Sequence, residues 1–253
     1  MKKTILITGA TSELGKAISE FLIKQGYRLI LTARSLEKLS ALSEQLKKQG
    51  GEIKYVASDF TDSNTFNHVI ALLEKSNLSG MLLMPPQAPA TSEPLPDEEI
   101  WHKLLNTSLV GPAVFIKKVI PCFTKNARVL LISGISSRQP VSHYATSNIL
   151  RTAWLGLLKT IADQYGPKAI HFNTLSIGGI MTEKFKKQIE SEAQNSNTLF
   201  SEILSGRLAN VPLRRYAELD EIAEMASFLL TSSAGQHMTG QNIVFDGGFT
   251  RPY

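Results

Sequence analysis

The stretch Thr4-Ile5-Leu6-Ile7-Thr8-Gly9-Ala10-Thr11-Ser12-Glu13-Leu14-Gly15 decides the fold. Its first five residues are a short β-branched and leucine run closed by a glycine, which predicts a buried strand. From Glu13 the apolar residues recur at helical spacing as far as Gln25, and Gly26 supplies the stop. The basic start Met1-Lys2-Lys3 imitates a signal peptide only briefly, because the apolar run after it is too short. Between strand and helix lies a turn of small residues. Gly9 permits a sharp reversal, Thr11 and Ser12 leave room for a ligand, and the helix start aims N–H groups and its positive dipole end at an anion. Gly15 would let helix and strand pack closely. A plainer reading makes Ser12 only a helix cap. Position at the first turn of an alternating chain favours the phosphate cradle.

Outward from that turn the alternation continues. Strands are predicted at Arg28 to Thr32, Ile53 to Ala57, Met81 to Met84, Ala127 to Ile132, Ile170 to Leu175 and Asn242 to Phe245. Helices are predicted at Ser35 to Gln49, Asp62 to Lys75, from near Asp97, after Tyr144, and at Glu218 to Leu230. Pro85, Pro86, Pro89, Pro94 and Pro96 keep the stretch between irregular. The order predicts an α/β fold, a Rossmann-type doubly wound parallel sheet in a single domain over residues 1–253. Residues 182–212 mix Glu, Lys, Gln and Asn with scattered Phe and Leu, the composition of a mobile helical flap.

Composition narrows the function. The chain has 253 residues, 43% hydrophobic and 19% charged, enough for a sizeable core. Net charge is +5, spread along the chain, so a nucleic-acid grip is not expected. The single Cys122 excludes an internal disulfide and cannot alone build a metal site. No apolar run approaches the ~18 to 20 residues of a membrane span, and the cytoplasm is the expected location.

The motif Thr8-Gly9 to Gly15 resembles the TGxxxGxG loop of the short-chain dehydrogenases/reductases, and the likeness continues in register to the C-terminus. Asp59, followed by Phe60, stands where that family places an acid against the adenine. Trp101 precedes Ser108 by seven residues, with Gly111-Pro112 beyond. Tyr144-Ala145-Thr146-Ser147-Asn148 occupies the YxxSK position. Ser176 to Thr182, with Gly178, Ile180 and Thr182, is similar to the segment that holds nicotinamide, and Thr239-Gly240-Gln241 and Asp246-Gly247-Gly248 match the terminal motifs. The 3-oxoacyl-carrier-protein reductases look nearest. The resemblance implies a nicotinamide cofactor on Gly9, Thr11, Ser12, Glu13, Leu14 and Gly15. At the end of the second strand Ala33 stands where NAD users carry Asp, and Arg34 follows. An Arg there pairs with a 2′-phosphate, so NADP(H) is favoured over NAD(H).

The proton-handling positions depart from the pattern. Tyr144 is present, and a phenol that titrates near ~10 needs help to exchange its proton at neutral pH. The family Lys, four residues on, is Asn148, which can still bond ribose hydroxyls but brings no charge. If that loss limits the rate, Asn148→Lys raises turnover. Arg151 is expected at a subunit surface. Register through Pro140 puts Gly134 where the catalytic Ser hydroxyl belongs, in a loop shorter than the family's, and Ser133 or Ser136 could substitute. The family Asn of the long helix is Ser108. Met84-Pro85-Pro86-Gln87 replaces the family's NNAG.

Two functions follow. One is an NADP(H)-dependent reductase with a rearranged site, acting on a carbonyl or a conjugated C=C. The other is a dinucleotide-binding or regulatory module that has kept the fold. A small-molecule substrate, acyl or aromatic carbonyl, would suit the flap residues Phe185, Leu199, Phe200 and Leu204. Val114, Phe115, Val119, Trp154, Leu155, Leu157 and Leu158 are too many apolar residues for one helix face and predict a homodimer or homotetramer.

Overall fold

A computed structural model describes residues 2–251; Met1, Pro252 and Tyr253, inside the predicted domain bounds, lie outside the described residues. Seven strands form one parallel sheet: β1 (Thr4–Thr8), β2 (Arg28–Ala33), β3 (Ile53–Ala57), β4 (Leu78–Leu83), β5 (Phe123–Gly134), β6 (His171–Ile177) and β7 (Asn242–Phe245). Their order is β3-β2-β1-β4-β5-β6-β7. Strand order reverses between β1 and β4, and such a switch point opens a crevice at the carboxyl ends of the strands.

Side chains alternate across the sheet. Ile5, Ile7, Leu29, Leu31, Leu82 and Leu130 face one cluster, while Leu6, Ile30, Met81, Leu83, Val129 and Leu131 face the other. Both faces are covered, which is why the strands read as continuous apolar runs. The first cluster is closed by α1 (Glu13–Lys24), α2 (Leu36–Lys48) and α9 (Leu219–Thr231). The second is closed by α3 (Thr65–Leu73), α5 (Gly111–Val119) and α6 (Ala145–Tyr165). Each fully buried Leu, Ile or Phe contributes about 1.5–3 kcal/mol relative to exposure.

Element boundaries differ modestly from expectation. β4 starts at Leu78 and β5 at Phe123, because Thr124 Oγ1 donates to Leu78 O and extends the ladder backwards. The long helix near Asp97 is interrupted. It comprises α4 (Glu98–Leu105), a π turn at Asn106–Val110 and α5. Pro112 has no N–H to donate to the carbonyl of Ser108, four residues back. The Trp154 indole Nε1 donates to that carbonyl instead, at 2.7 Å, so one proline fixes both the local helix form and the docking of α6.

The expected subunit face is partly core. Phe115, Val119, Trp154 and Leu158 are buried within the chain, because α5 and α6 both turn these side chains onto the sheet. Val110, Val114 and Ile149 stay exposed on the outer faces. Residues 182–212 form two helices, α7 (Glu183–Ser196) and α8 (Phe200–Leu208), each with a buried anchor, Ile189 and Leu208. Among the described residues no helix is long and apolar enough to cross a membrane, and no group of His, Cys, Asp or Glu could hold a metal ion.

Candidate active site

The glycine turn is built as a cradle. Gly9 has φ +60°, the left-handed region that glycine enters freely. A Cβ on Gly15 would approach Gly9 O at 2.7 Å and Ala10 Cα at 2.9 Å, so α1 can sit this close only without a side chain there. Ser12 caps α1: its hydroxyl accepts from Gly15 N at 3.0 Å and donates to Gly9 O at 2.9 Å. The plainer reading of Ser12 thus coexists with an open first turn. Thr8 Oγ1 accepts from Met84 N at 2.8 Å and locks the turn against the Met84-Pro85-Pro86 segment. Thr11 is half-buried beside it and Leu14 is buried in the core behind.

Glu13 stands where the family motif has its second glycine. Its carboxylate crosses the crevice and accepts from Glu183 N at 2.9 Å and Lys184 N at 3.4 Å. An acid on the first turn of α7 satisfies N–H groups that a helix start leaves open. Cradle and flap are therefore joined by one side chain.

At the end of β2, Arg34 is exposed, and among the described residues no acid pairs with it. Asp59 Oδ1 accepts from Thr61 N at 2.9 Å and Thr61 Oγ1 at 2.8 Å, fixing the turn after β3. The Phe60 ring turns away from the crevice. It packs edge-on against Phe66 and Phe115, with centroids 6.4 and 5.5 Å away, so only its backbone borders the crevice side. Beyond β6, Gly178 N donates to Phe245 O, Ile180 bridges to Ala217, and Thr182 Oγ1 caps α7 by accepting from Phe185 N at 3.1 Å.

These features fit a phosphorylated dinucleotide. The Gly9 turn and the start of α1 would hold the pyrophosphate, Arg34 a 2′-phosphate, Asp59 the adenine, and the Gly178 to Thr182 segment the nicotinamide.

The Tyr144 phenol is 41% exposed at the head of α6. The backbone around it is pinned: Thr91 N donates to His143 O at 2.8 Å and Ala145 N donates to Thr91 O at 3.0 Å. His143 takes φ +62°, costly for a residue with a Cβ, and its Nδ1 lies 2.6 Å from Ser92 Oγ. The proline-rich stretch after β4 thus fastens to the tyrosine loop.

Three expectations about side chains are revised. Asn148 does not lie free beside the phenol. Its Oδ1 accepts from Val141 N at 3.3 Å and its Nδ2 donates to Val141 O at 3.4 Å, closing the shortened loop. Arg151 does not point to a subunit surface. Its guanidinium turns inward and Nη1 donates to Ser136 Oγ at 3.0 Å. A Cβ at Gly134 would overlap Nη1 of Arg151, so the guanidinium fills the space a side chain at 134 would enter. Burial pushes the guanidinium below its ordinary range while the nearby Tyr144 phenol opposes this. Ser136 is consequently an acceptor for Arg151. Ser133 is buried and its hydroxyl has no hydrogen-bond partner among the described residues. Ser108 is buried, its hydroxyl 3.3 Å from Thr107 Oγ1.

Tyr216 escaped the sequence reading. Its ring lies on Gly179, where a Cβ would overlap it, and edge-on to Phe185 at 5.3 Å. Burial raises the phenol above its ordinary value, Arg207 opposes that, and Tyr144 adds to it. The signal was Gly179 itself, a second glycine beside the expected Gly178. Of the flap residues, Phe185 packs inward, while Leu199 is 65% exposed and does not line the crevice.

Residues 9–250 match the family model described as Enoyl-(Acyl carrier protein) reductase. The chain is 26% identical over 254 residues to human dehydrogenase/reductase SDR family member 2, mitochondrial, covering 98% of this chain and 87% of that one. It is 25% identical over 255 residues to the NADPH-dependent reductase BacG of Bacillus subtilis strain 168, covering 98% and 97%. An apo short-chain oxidoreductase from Pseudomonas aeruginosa PAO1, described as containing an atypical catalytic center, superposes with a TM-score of 0.90 at 20% identity, over 99% and 98% of the two chains. With its glycine turn, reversed strand order and Tyr144 at the head of α6, the chain belongs to the short-chain dehydrogenase/reductase family.

Proposed function

We propose that this protein is an NADP(H)-dependent oxidoreductase that passes hydride to a carbonyl or a conjugated C=C of a small molecule. The observation that carries the reading is the set of groups gathered after the carboxyl ends of the strands, beside the reversal of strand order. The Gly9 turn follows β1, Arg34 follows β2 with no acid paired to it among the described residues, and the exposed Tyr144 phenol stands at the head of α6. A bound dinucleotide would supply or accept the hydride. The chain supports the rest. Tyr144 holds a transferable proton at its hydroxyl, within reach of solvent. Asn148 keeps the tyrosine loop closed rather than acting on the phenol, and Phe185 of the flap packs edge-on to Tyr216 beside Gly179. The NADPH-dependent reductase among its relatives favours the same cofactor.

The experiment is a fluorescence titration of NADPH with protein, then NADH in competition. Saturable binding with NADPH preferred supports the reading; no binding at roughly tens of micromolar overturns it, since dinucleotide sites of this design bind in or below that range. Asn148 bound to Val141 favours a second reading, a dinucleotide-binding module with little turnover. A panel of carbonyl and enoyl substrates at high protein concentration separates the two. The exposed Val110, Val114 and Ile149 support a homodimer through α5 and α6, which light scattering would detect as twice the chain mass.

A further inference from the structure

We propose that Arg151 is a catalytic residue that takes over the oxyanion-binding role of the family serine, and that it suits the site to conjugated C=C–C=O substrates over isolated ketones. The proposal rests on the dinucleotide-dependent reading above and names its substrate class.

Four observations converge. The residue at the serine position is Gly134, and the space its side chain would enter holds the Arg151 guanidinium. That guanidinium donates to Ser136 Oγ, a neutral acceptor, and among the described residues no carboxylate pairs with it. A largely buried guanidinium without an acid is costly to maintain unless negative charge forms beside it. Asn148 brings no charge to the task, and its amide already spends one donor and one acceptor on Val141. Charge on a substrate oxygen beside Gly134 would therefore meet a fixed fork of donors.

The chemistry discriminates between substrates. A guanidinium stays protonated throughout the working pH range, so it stabilises an anion without giving up a proton. Hydride addition to an isolated ketone makes a strongly basic alkoxide, which must take a proton as it forms. Hydride addition to the β-carbon of a conjugated carbonyl moves the C=C electron pair toward oxygen and makes a less basic enolate. Arg151 would hold that oxygen while the α-carbon takes a proton from Tyr144 or from water. The balance is one reduced dinucleotide and one proton consumed per saturated carbonyl formed. A positioned donor at a developing oxyanion is worth about 10²- to 10³-fold in rate.

Calorimetry of benzoate, a planar oxyanion, on the NADPH complex tests binding without turnover. Wild type binds benzoate, and Arg151→Met weakens it by about 10- to 100-fold, the worth of a charge-assisted pair, with NADPH affinity unchanged. Gly134→Ala, which crowds the guanidinium, gives the same direction, and Arg151→Lys keeps part of the affinity; these two serve if the Met variant does not fold. With 2-cyclohexen-1-one and cyclohexanone as a matched pair, NADPH consumption is faster with the enone, and Arg151→Met removes that advantage. No benzoate binding to the NADPH complex, equal benzoate affinity in wild type and variants, or enone consumption no faster than ketone consumption overturns the proposal. Failure of NADPH to bind at all overturns instead the reading beneath it.

Discussion

The two halves of the crevice are built by different rules. Around β1, β2 and β3 the geometry rests on backbone: a glycine at φ +60°, a second glycine whose Cβ would strike the chain, and a capped helix start. Around β5, α6 and β6 it rests on side chains from separate segments: Arg151 fills the space beside Gly134, and Asn148 is bonded to Val141. Backbone recognition of a phosphate tolerates little change, because a Cβ in the wrong place closes the cradle. Side-chain placement of a charge or a donor can be reached from more than one position, provided the space opens elsewhere. Gly134 and Arg151 are such a pair: the one creates the room that the other fills.

That contrast can be broken at its strongest point by Tyr144→Phe. Turnover is expected to fall by about 10²- to 10⁴-fold, as for loss of an acid–base group, with NADPH affinity retained. A variant of full activity would remove the phenol from the second half altogether. Arg34→Ala probes the first half. NADPH affinity is expected to drop by roughly 10- to 100-fold, the range for a charge-assisted contact, while NADH affinity barely moves. An equal loss for both dinucleotides would detach Arg34 from the 2′-phosphate.

Asn148→Lys sharpens the comparison. Restoring the family ammonium alone is now expected to lower turnover by a few-fold, not raise it. The lysine would release Val141 from its two hydrogen bonds and set a second cation near Arg151. A rise in turnover would mean that Asn148 is not needed to hold the tyrosine loop beside Arg151. Glu13→Gln tests the link between the halves. Removing the charge should tighten NADPH binding by a few-fold, since a carboxylate on the cradle opposes a pyrophosphate. It should also speed proteolytic cleavage within α7, which loses its charged cap.

The smallest effect concerns the start of α9. Arg215 pairs with Glu221, and together with the Glu218 backbone N–H it lowers the Glu221 carboxyl from 4.5 to about 2. A carboxyl depressed on folding stabilises above its unfolded pKa and stops doing so as pH falls through the folded one. Thermal unfolding of wild type should therefore lose a small increment between about pH 4.5 and 2 that Glu221→Gln lacks. Identical acid profiles would show that the bonds Glu221 makes to Arg215 and to the Glu218 N–H add nothing.

Legibility followed the same division. The strands were readable because both faces of the sheet are buried, which turns each into an apolar run, and β7 falls on the predicted residues. The break in the long helix was not readable, although Pro112 caused it, because the consequence depended on Trp154, 42 positions on in the chain. Phe60 looked like a neighbour of Asp59 at the adenine. Its ring instead joined Phe66 and Phe115, since three aromatics meeting edge-on gain more than one left at a crevice rim.

By itself the sequence determined the parallel sheet, the glycine turn, the position of Tyr144 and the absence of the family lysine and serine. These are properties of local pattern and spacing, which the chain carries wherever it goes. Only the tertiary structure decided that Arg151 turns inward, that Asn148 is spent on Val141 and that Glu13 bridges cradle to flap. Each depends on which space is already taken by a neighbour distant in sequence, and a linear pattern holds no record of that.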